Sequence, residues 1–218
     1  MKKIFIINAG QSFATSGGLF NNTITETTRQ FFNQSEDIIV QTTTMENGYT
    51  AEEEVNKFVW ADVIIYHTPV WWFQVPFNFK KYIDEVFTAG GNKGIFRNDG
   101  RSSSNPDINY GTGGMLQGKK YMLTTTWNAP ATAFTLPGEF FDQKSVDEGS
   151  FFGFHRMNAF TGMTPLKSYH FYDVIKNANI EEHMKAYSQH LEEIFSDSLI
   201  TETKNGARSD QQRSRSVR

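Results

Sequence analysis

Residues 62–76 read Asp-Val-Ile-Ile-Tyr-His-Thr-Pro-Val-Trp-Trp-Phe-Gln-Val-Pro, and they carry the strongest structural signal in the chain. The first six residues are rich in β-branched and aromatic side chains, which predicts a buried parallel strand over residues 62–67. Pro69 ends that strand, because proline has no amide hydrogen to donate to a sheet. Pro76 suits the first position of a helix, and apolar residues follow at helical spacing as far as residue 88. The stretch therefore predicts a strand, a loop and a helix.

The predicted loop contains three aromatic residues in succession, Trp71, Trp72 and Phe73. Neighbouring side chains diverge, so the three rings cannot all face one core. Loops at the carboxyl ends of parallel strands are where α/β sheets bind ligands. We therefore interpret the loop as one wall of a site for a flat ring system. A hydrophobic lid or a dimer contact is the alternative, because aromatic residues are common in both.

Strands and helices alternate along the rest of the chain. Further strands are predicted over residues 3–7, 37–41, 120–125 and 168–172, and further helices begin near Ser16, Thr50, Phe152 and Asn179. Five strands that alternate with helices predict an α/β fold. Its sheet is expected to be flavodoxin-like, with five parallel strands in the order 2-1-3-4-5 and helices on both faces.

Three loops should meet at one edge of this sheet: residues 8–18, 68–75 and 126–130. The first is rich in small residues and leads into a helix, whose free backbone amides can bind a phosphate. It contains neither GxGxxG nor GxxxxGK[ST], so the usual dinucleotide and nucleoside triphosphate motifs are absent. The other two loops offer aromatic rings and amides. Together the three loops predict a pocket for a flavin nucleotide.

Composition restricts the function classes. A net charge of −3 over 218 residues provides no basic footprint for nucleic acid. The absence of cysteine excludes disulfides and thiol redox motifs, so a redox enzyme would need a cofactor for its electron chemistry. No HExxH motif occurs, and His183 and His190 lie two helical turns apart, so we expect no metal site. No apolar run approaches the length of a membrane span, and we expect a cytoplasmic protein.

Two segments depart from the strand and helix pattern. Residues 89–118 form a long glycine-rich insertion, and a loop of this length is usually functional or mobile. The apolar period is lost from residue 201, and residues 206–218 are rich in serine and arginine. We interpret residues 201–218 as a disordered or vector-derived tail, which leaves residues 1–200 as one domain.

Eight short motifs occur together in this chain. They are FATSGGLFN (13–21), WAD (60–62), PVWWF (69–73), VP (75–76), KKYID (80–84), YGTGG (110–114), QGKKY (117–121) and TWNAP (126–130). This set resembles the flavodoxin-like NAD(P)H:quinone oxidoreductase (DT-diaphorase) family, and within it the bacterial modulator of drug activity B proteins. The resemblance covers about residues 2–196, and the run around the two tryptophans is its most specific part.

The resemblance implies a non-covalent FAD and a homodimer with active sites at the subunit interface, so residues 1–200 would form an FAD-binding domain. The implied cofactor residues are Ser16, Phe20 and Asn21 at the pyrophosphate, Pro69, Val70, Trp71, Trp72 and Phe73 along the isoalloxazine, and Thr126, Trp127, Asn128 and Ala129 at its pyrimidine side.

Tyr110 and Asn128 are the implied catalytic residues. Tyr110 would reach the flavin or the substrate, and Asn128 with the loop amides would stabilise charge at flavin N1 and O2. The animal enzymes of the family have a Tyr and a His after the fourth-strand loop. This chain has Phe134 and Phe140 at roughly those places, which argues against a side-chain proton relay there.

The implied reaction is a ping-pong transfer, in which NAD(P)H delivers a hydride to the flavin and a quinone then takes two electrons. One alternative is an FMN-type azo- or nitroreductase, which uses the same chemistry with another acceptor. The other is a non-catalytic, flavodoxin-like redox or regulatory module. The insertion at residues 89–118 argues against a small electron carrier, because such carriers lack a segment that could cover a substrate.

Overall fold

A parallel sheet forms the centre of the fold. The computed structural model describes residues 1–13 and 16–195. The strands in this part are β1 (Lys2–Asn8), β2 (Ile38–Thr44), β3 (Val63–Pro69), β4 (Lys120–Thr126), β5 (Thr164–Pro165) and β6 (Tyr169–Phe171). The helices are α1 (Leu19–Phe32), α2 (Ala51–Trp60), α3 (Phe77–Ala89), the short α4 (Thr132–Thr135), α5 (Phe152–Phe160) and α6 (residues 180–195), and a 3₁₀ turn spans Met45–Asn47.

The order of the strands confirms the predicted flavodoxin-like topology. Each neighbouring pair is parallel, and the order is β2-β1-β3-β4-β5. The last position differs from the prediction, because β5 and β6 share it: β5 pairs with the start of β4 and β6 with its end. Pro165 has no amide hydrogen, so this edge cannot form an uninterrupted ladder. The single strand predicted over residues 168–172 is therefore only the second half of the edge.

The first helix begins later than predicted. Ser16 does not cap it. Instead, the backbone amides of Ser16 and Phe13 each donate to the other's carbonyl at 2.9 Å. Gly18 occupies the capping position with φ 68°, a left-handed conformation that favours glycine. Asn179 caps α6 as predicted: its Oδ1 accepts the Glu182 amide and its Nδ2 donates to the Glu182 carboxylate.

Apolar side chains cover both faces of the sheet, which confirms helices on both sides. One core packs β1, β3 and β4 against α2, α3 and α5, with Phe5, Phe58, Tyr66, Phe79 and Tyr82 fully buried. The other packs alternate residues of the same strands against α1 and α6, including Ile4, Ile6, Ile24, Phe32 and Tyr187. Full burial of each large apolar side chain stabilises the fold by roughly 1.5–3 kcal/mol.

In the part of the chain that the structure describes, no helix is both long enough and apolar enough to cross a membrane. Cytoplasmic localisation stays a prediction of the sequence, as does the single domain over residues 1–200. The tail predicted over residues 201–218 lies outside the described residues.

Candidate active site

The three predicted loops do meet at the carboxyl ends of the central strands. They are the first loop (residues 9–18, described except for 14 and 15), the aromatic loop (70–75) and the third loop (127–130), and we call this edge the rim. The strand register places Asn8 beside His67, and Pro69 beside Thr126. The Val70 amide donates to the Thr126 carbonyl at 3.1 Å, which ties the aromatic loop to the strand before the third loop.

The first loop leads directly to the amino end of α1. A Cβ on Gly10 would lie 2.6 Å from the Asn21 Cβ, so only glycine lets the loop lie this close to the helix. The Asn8 carboxamide supports the turn: its Oδ1 accepts the Gly10 amide at 2.9 Å and its Nδ2 donates to Asn22 Oδ1 at 2.7 Å. The first turn of α1 contains no acidic residue. This end of the helix is therefore open to an anion.

Asn21 carries an unpaired polar atom beside this loop. The residue is 3% exposed, and within residues 1–13 and 16–195 its Nδ2 has no hydrogen-bond partner. Its Oδ1 accepts only a long bond of 3.4 Å from the Thr126 hydroxyl. The buried Gln11 Oε1 is also unpaired. A buried polar atom without a partner costs about 1–3 kcal/mol, so these atoms fit a site that a polar ligand completes.

His67 stands just below the rim at the end of β3. It is fully buried, and neither ring nitrogen has a partner in the described part of the chain. Burial lowers the pKa of His67 to about 3, so the ring is neutral near pH 7. A neutral imidazole cannot provide positive charge to a bound phosphate.

The aromatic loop is strained. The backbone amides of Trp71 and Gln74 each donate to the other's carbonyl, at 2.9 and 3.1 Å, which closes a tight turn. The two residues within the turn, Trp72 and Phe73, have φ of 47° and 67°. Bulky residues rarely adopt this left-handed region, where turns prefer Asn and Gly. Trp72 is also 92% exposed, so no packing within the chain accounts for a tryptophan here.

Two groups of rings flank this turn. Trp71 lies 5.1 Å from the Phe13 ring centroid and 6.4 Å from that of Phe77. On the other side, Phe73 stacks on Phe140 at 5.4 Å with an interplanar angle of 23°. Nothing in the sequence indicates that Phe13, Phe77 and Phe140 belong to this wall. All three are exposed, as are Trp72 and Phe73, and an apolar patch of this kind usually marks a binding surface.

Trp127 does not face the rim as the resemblance implied. Its side chain is only 3% exposed, and its Nε1 donates to the Thr125 hydroxyl at 2.8 Å. The ring packs against the interior, edge to face with Phe134 at 5.0 Å. The Trp127 amide donates to the Phe171 carbonyl at the end of β6 at 2.8 Å, and the Trp127 carbonyl accepts the Val174 amide at 3.1 Å, which fixes the backbone at this position. The indole can therefore support the site from behind but does not line it.

The other predicted residues of these loops lie where a ligand at the rim could meet them. Asn128 is exposed and Ala129 half-buried on the third loop, while Thr126 is buried at the end of β4. Ser16, Pro69 and Val70 are half-buried at the rim. Phe20 is also half-buried, but its ring lies edge to face on Phe171 at 5.1 Å, which turns it towards the core.

Tyr110 is not brought to the rim of its own chain. It is 70% exposed, and its ring lies 5.7 Å from Phe160 and beneath the Arg101 guanidinium at 5.6 Å. Phe160 ends α5, which leads into the strand that pairs with Lys120 at the start of β4. The rim lies at the other end of β4, six residues or about 20 Å away.

A groove of about 540 Å³ separates α3 from α5 beside the aromatic loop. Gln74 and Val75 lie at one end of it, and Phe96 and Phe160 at the other. No group of three or more His, Cys, Asp or Glu side chains within residues 1–13 and 16–195 could hold a metal ion.

Comparison with known proteins places this geometry in a family. The family model described as flavodoxin-like fold matches residues 2–192. An uncharacterised protein of Schizosaccharomyces pombe is 46% identical over 193 residues, which cover 88% of this chain and 97% of that protein. The NADPH:quinone oxidoreductase MdaB of Haemophilus influenzae is 42% identical over 192 residues, which cover 88% of this chain and 98% of the relative.

Among solved structures, general stress protein 14 of Treponema denticola, in complex with FMN, superposes with a TM-score of 0.62. The match covers 90% of this chain and 99% of that chain, and at 18% identity it supports the fold alone. The family resemblance of the sequence motifs is confirmed by the relatives and by the family model. The chain belongs to the flavodoxin-like NAD(P)H:quinone oxidoreductase family.

Proposed function

We propose that this protein is a flavin-dependent enzyme that transfers two electrons from NAD(P)H to quinones, with FAD as its cofactor. The observation that carries the proposal is the rim. An open helix end with unpaired buried polar atoms lies there next to a wall of exposed aromatic rings. The 42% identity to an NADPH:quinone oxidoreductase supports the same activity.

The residues present fit a flavin nucleotide. The amino end of α1 and the loop at Gly10 would hold its phosphates, and Asn21 Nδ2 would gain a partner from its polar tail. Trp71, Trp72 and Phe73 would lie against the ring system. When bound, the flavin would supply the hydride and electron chemistry that no side chain of this chain provides. FAD rather than FMN is the form implied by the family resemblance, and the FMN complex of a protein with this fold supports the flavin class.

The chain itself would orient the substrates and exclude water. The exposed rings of Trp72 and Phe140 would cover flat molecules that enter the site, so we expect the enzyme to accept different flat acceptors. Asn128 and the amides of the third loop would stabilise negative charge on the pyrimidine side of the ring. We assign no proton donor among the side chains at the rim.

We further propose a homodimer with the site at the interface. Tyr110 lies at the far end of β4 from its own rim, so it could reach a site of this kind only on a second copy. Ile108 and Met115 on the same insertion are exposed, and the apolar groove between α3 and α5 borders the aromatic loop. A second chain seated there would cover both surfaces.

The test is an anaerobic titration of the purified protein after reconstitution with flavin. We expect NADPH or NADH to bleach the flavin absorbance and the enzyme to turn over a soluble quinone. Mass spectrometry of the released cofactor should identify FAD. A protein that binds neither FAD nor FMN, or whose flavin is not reduced by either nicotinamide, contradicts the proposal.

Two further measurements separate the alternatives. Release of FMN together with faster reduction of azo or nitro compounds than of quinones would favour the azo- or nitroreductase. Reduction without turnover on any small acceptor would favour the non-catalytic redox module.

A further inference from the structure

A cluster of ionisable residues lies behind the third loop, outside the rim. The Asp147 Oδ1 atom is 2.8 Å from His155 Nε2 and 3.3 Å from His170 Nε2. The cluster opens on a groove of about 720 Å³ beside β5 and β6, where Arg156 and Lys167 are the nearby cations. Both imidazoles are mostly buried, so Asp147 joins two ring edges that solvent hardly reaches.

The second nitrogen of each imidazole contacts a hydroxyl group on β4. Tyr121 Oη lies 2.6 Å from His155 Nδ1, and Thr125 Oγ1 lies 2.7 Å from His170 Nδ1. Tyr121 and Thr125 are four residues apart on one strand, so they point to the same face of the sheet. Asp147 therefore connects to β4 through two parallel branches.

Chemistry fixes the direction of the hydrogen bonds in the His170 branch. The contact of 3.3 Å between His170 Nε2 and the Asp147 carboxylate favours a proton on Nε2, because an ionised carboxylate only accepts. A neutral imidazole then has only Nδ1 left as an acceptor, and the Thr125 hydroxyl must donate to it. The indole N–H of Trp127 can only donate, and it donates to Thr125 Oγ1 at 2.8 Å. The Thr125 hydroxyl thus donates to His170 Nδ1 and accepts from the Trp127 indole, which fixes the orientation of the hydroxyl.

The electrostatics support this arrangement. Burial by itself would raise the pKa of Asp147, but the hydrogen bonds from His155 and His170 outweigh burial and hold this pKa well below its usual range. Asp147 is therefore ionised and accepts from both rings. Burial raises the pKa of Tyr121 and the charge of Asp147 raises it further, so the phenol stays protonated as the donor to His155.

From Trp127 the contacts continue to the rim. The indole packs edge to face on Phe141 at 5.8 Å, and Phe141 contacts Phe73 of the aromatic loop at 5.9 Å. The His155 branch ends at Tyr121, which is buried five residues before the end of β4. The His170 branch reaches Trp127 by hydrogen bonds through Thr125, whereas His155 reaches it through ring contacts with Phe154 and Phe151.

We propose that Asp147 and His170 are positioning residues of the flavin site, which act through Thr125 to hold the Trp127 indole and the aromatic wall it supports. The inference rests on the proposed function. It assigns the residues beside the groove at β5 and β6 a role in flavin affinity, although Asp147 and His170 lie outside the rim.

Paired variants of His170 test the proposal. In His170→Asn the amide oxygen can take the place of Nδ1 and keep the Thr125 hydrogen bond. In His170→Gln the amide falls near Nε2, so it keeps the contact with Asp147 and loses Thr125. We expect the flavin Kd to rise about fivefold to tenfold in His170→Gln, as loss of one buried hydrogen bond implies, and by a smaller factor of about two to three in His170→Asn, which keeps the Thr125 hydrogen bond but loses the orienting contact with Asp147.

His155→Gln is the matched control. Its amide would keep the contact with Asp147 and lose the hydrogen bond with the Tyr121 hydroxyl, on the branch that does not include Thr125. We expect its flavin Kd to stay within about twofold of wild type, whatever the loss in unfolding midpoint. A second readout is the Trp127 indole N–H signal in ¹⁵N-labelled, flavin-free protein, assigned with Trp127→Phe. This signal should shift in His170→Gln and Asp147→Asn and stay in place in His155→Gln.

The outcomes separate this proposal from the proposed function. Equal flavin affinities of wild type and His170→Gln, or equal losses in His155→Gln and His170→Gln, overturn the positioning role alone. An unmoved indole signal in His170→Gln overturns it as well. A wild-type protein that takes up no flavin overturns the proposed function, and the role of His170 in that site with it.

Discussion

Glu54 and Asn21 are both almost completely buried polar residues on helices that flank the sheet, but only Glu54 has all its polar side-chain atoms paired. Glu54 Oε1 accepts from the Thr43 hydroxyl at 2.9 Å and from Lys57 Nζ at 2.6 Å, and Oε2 accepts from the Tyr82 hydroxyl at 2.7 Å. Among the described residues Asn21 Nδ2 has no partner. The Glu54 carboxylate is fully paired within the described chain, whereas the rim keeps polar atoms that a ligand could pair.

The same contrast appears in the backbone. The aromatic loop holds Trp72 and Phe73 in left-handed conformations that cost of order 1–3 kcal/mol each. The helices around Glu54 contain no residue with positive φ. Strain and unpaired polar atoms thus occur together at one edge of the sheet. Their coincidence indicates that this edge is built for binding and the Glu54 side for stability.

The largest effect is expected for Glu54→Ala. It leaves the Lys57 ammonium and two buried hydroxyls without their acceptor, so the free energy of unfolding should fall by about 3 kcal/mol, as when one partner of a buried ion pair is removed. Urea unfolding monitored by circular dichroism measures it. Glu53→Ala, one residue earlier on the exposed side of α2, should change stability by less than about 0.5 kcal/mol. Equal effects of the two variants would contradict the role of the Glu54 cluster.

His67 should make the flavin-free protein sensitive to acid. Its pKa of about 3 in the folded state lies below the ordinary value of 6.5, so the unfolded chain binds the proton more readily. The resulting loss in the free energy of unfolding is small above pH 6.5 and grows as the pH falls towards 3. Between pH 6.5 and 5 we expect a loss of about 2 kcal/mol, at about 1.4 kcal/mol per pH unit.

His67→Gln has no titrating group and should lose this part of the pH dependence. Unfolding midpoints of both proteins at a series of pH values decide the question. An identical slope for wild type and His67→Gln would show that other residues cause the acid sensitivity.

Asn21→Leu should separate stability from binding. It removes the unpaired Nδ2 and keeps the number and branching of the side-chain heavy atoms, so the flavin-free protein should be unchanged or up to about 1 kcal/mol more stable. Flavin affinity should fall about tenfold, since a polar partner of the ligand is lost. Thermal unfolding without flavin and fluorescence titration with it give the two numbers. A stability loss as large as the loss of binding would mean that Asn21 is a structural residue.

The smallest effect is expected in the aromatic loop. Trp72→Asn places a residue that tolerates a left-handed conformation at φ 47°, and it should stabilise the protein by about 1 kcal/mol. The same change removes an exposed ring from the site and should raise KM for quinones more than it lowers kcat. Trp72→Phe keeps both the ring and the strain, so it should resemble wild type in stability and in KM.

Much of the fold followed from local patterns. The run at residues 62–67 and the two prolines after it predicted β3, the aromatic loop and α3, and all three occur within two residues of the predicted bounds. Exposed backbone geometry was harder to foresee. Nothing in the triplet Trp71, Trp72 and Phe73 indicates that two of its residues adopt positive φ, because most sequences with this conformation contain Asn or Gly.

The candidate site was predicted in outline and missed in detail. Loops from three distant parts of the chain were expected at one edge, and they do meet there. The orientation of Trp127 was not predictable, since it depends on a hydrogen bond to Thr125 and on rings contributed by residues 134, 141 and 151. The separation of Tyr110 from its own rim depends on where the insertion packs, at the end of α5.

The sequence by itself determined the α/β class, the strand order and the family of this protein. These depend on short-range periodicity, on proline positions and on motifs that can be read in one segment at a time. Only the tertiary structure decided which polar atoms are paired and which rings are exposed. Pairing and exposure depend on groups that lie far apart in the chain and come together when it folds. For that reason only the folded chain shows that the buried Glu54 carboxylate is fully paired and that the buried Asn21 amide is not.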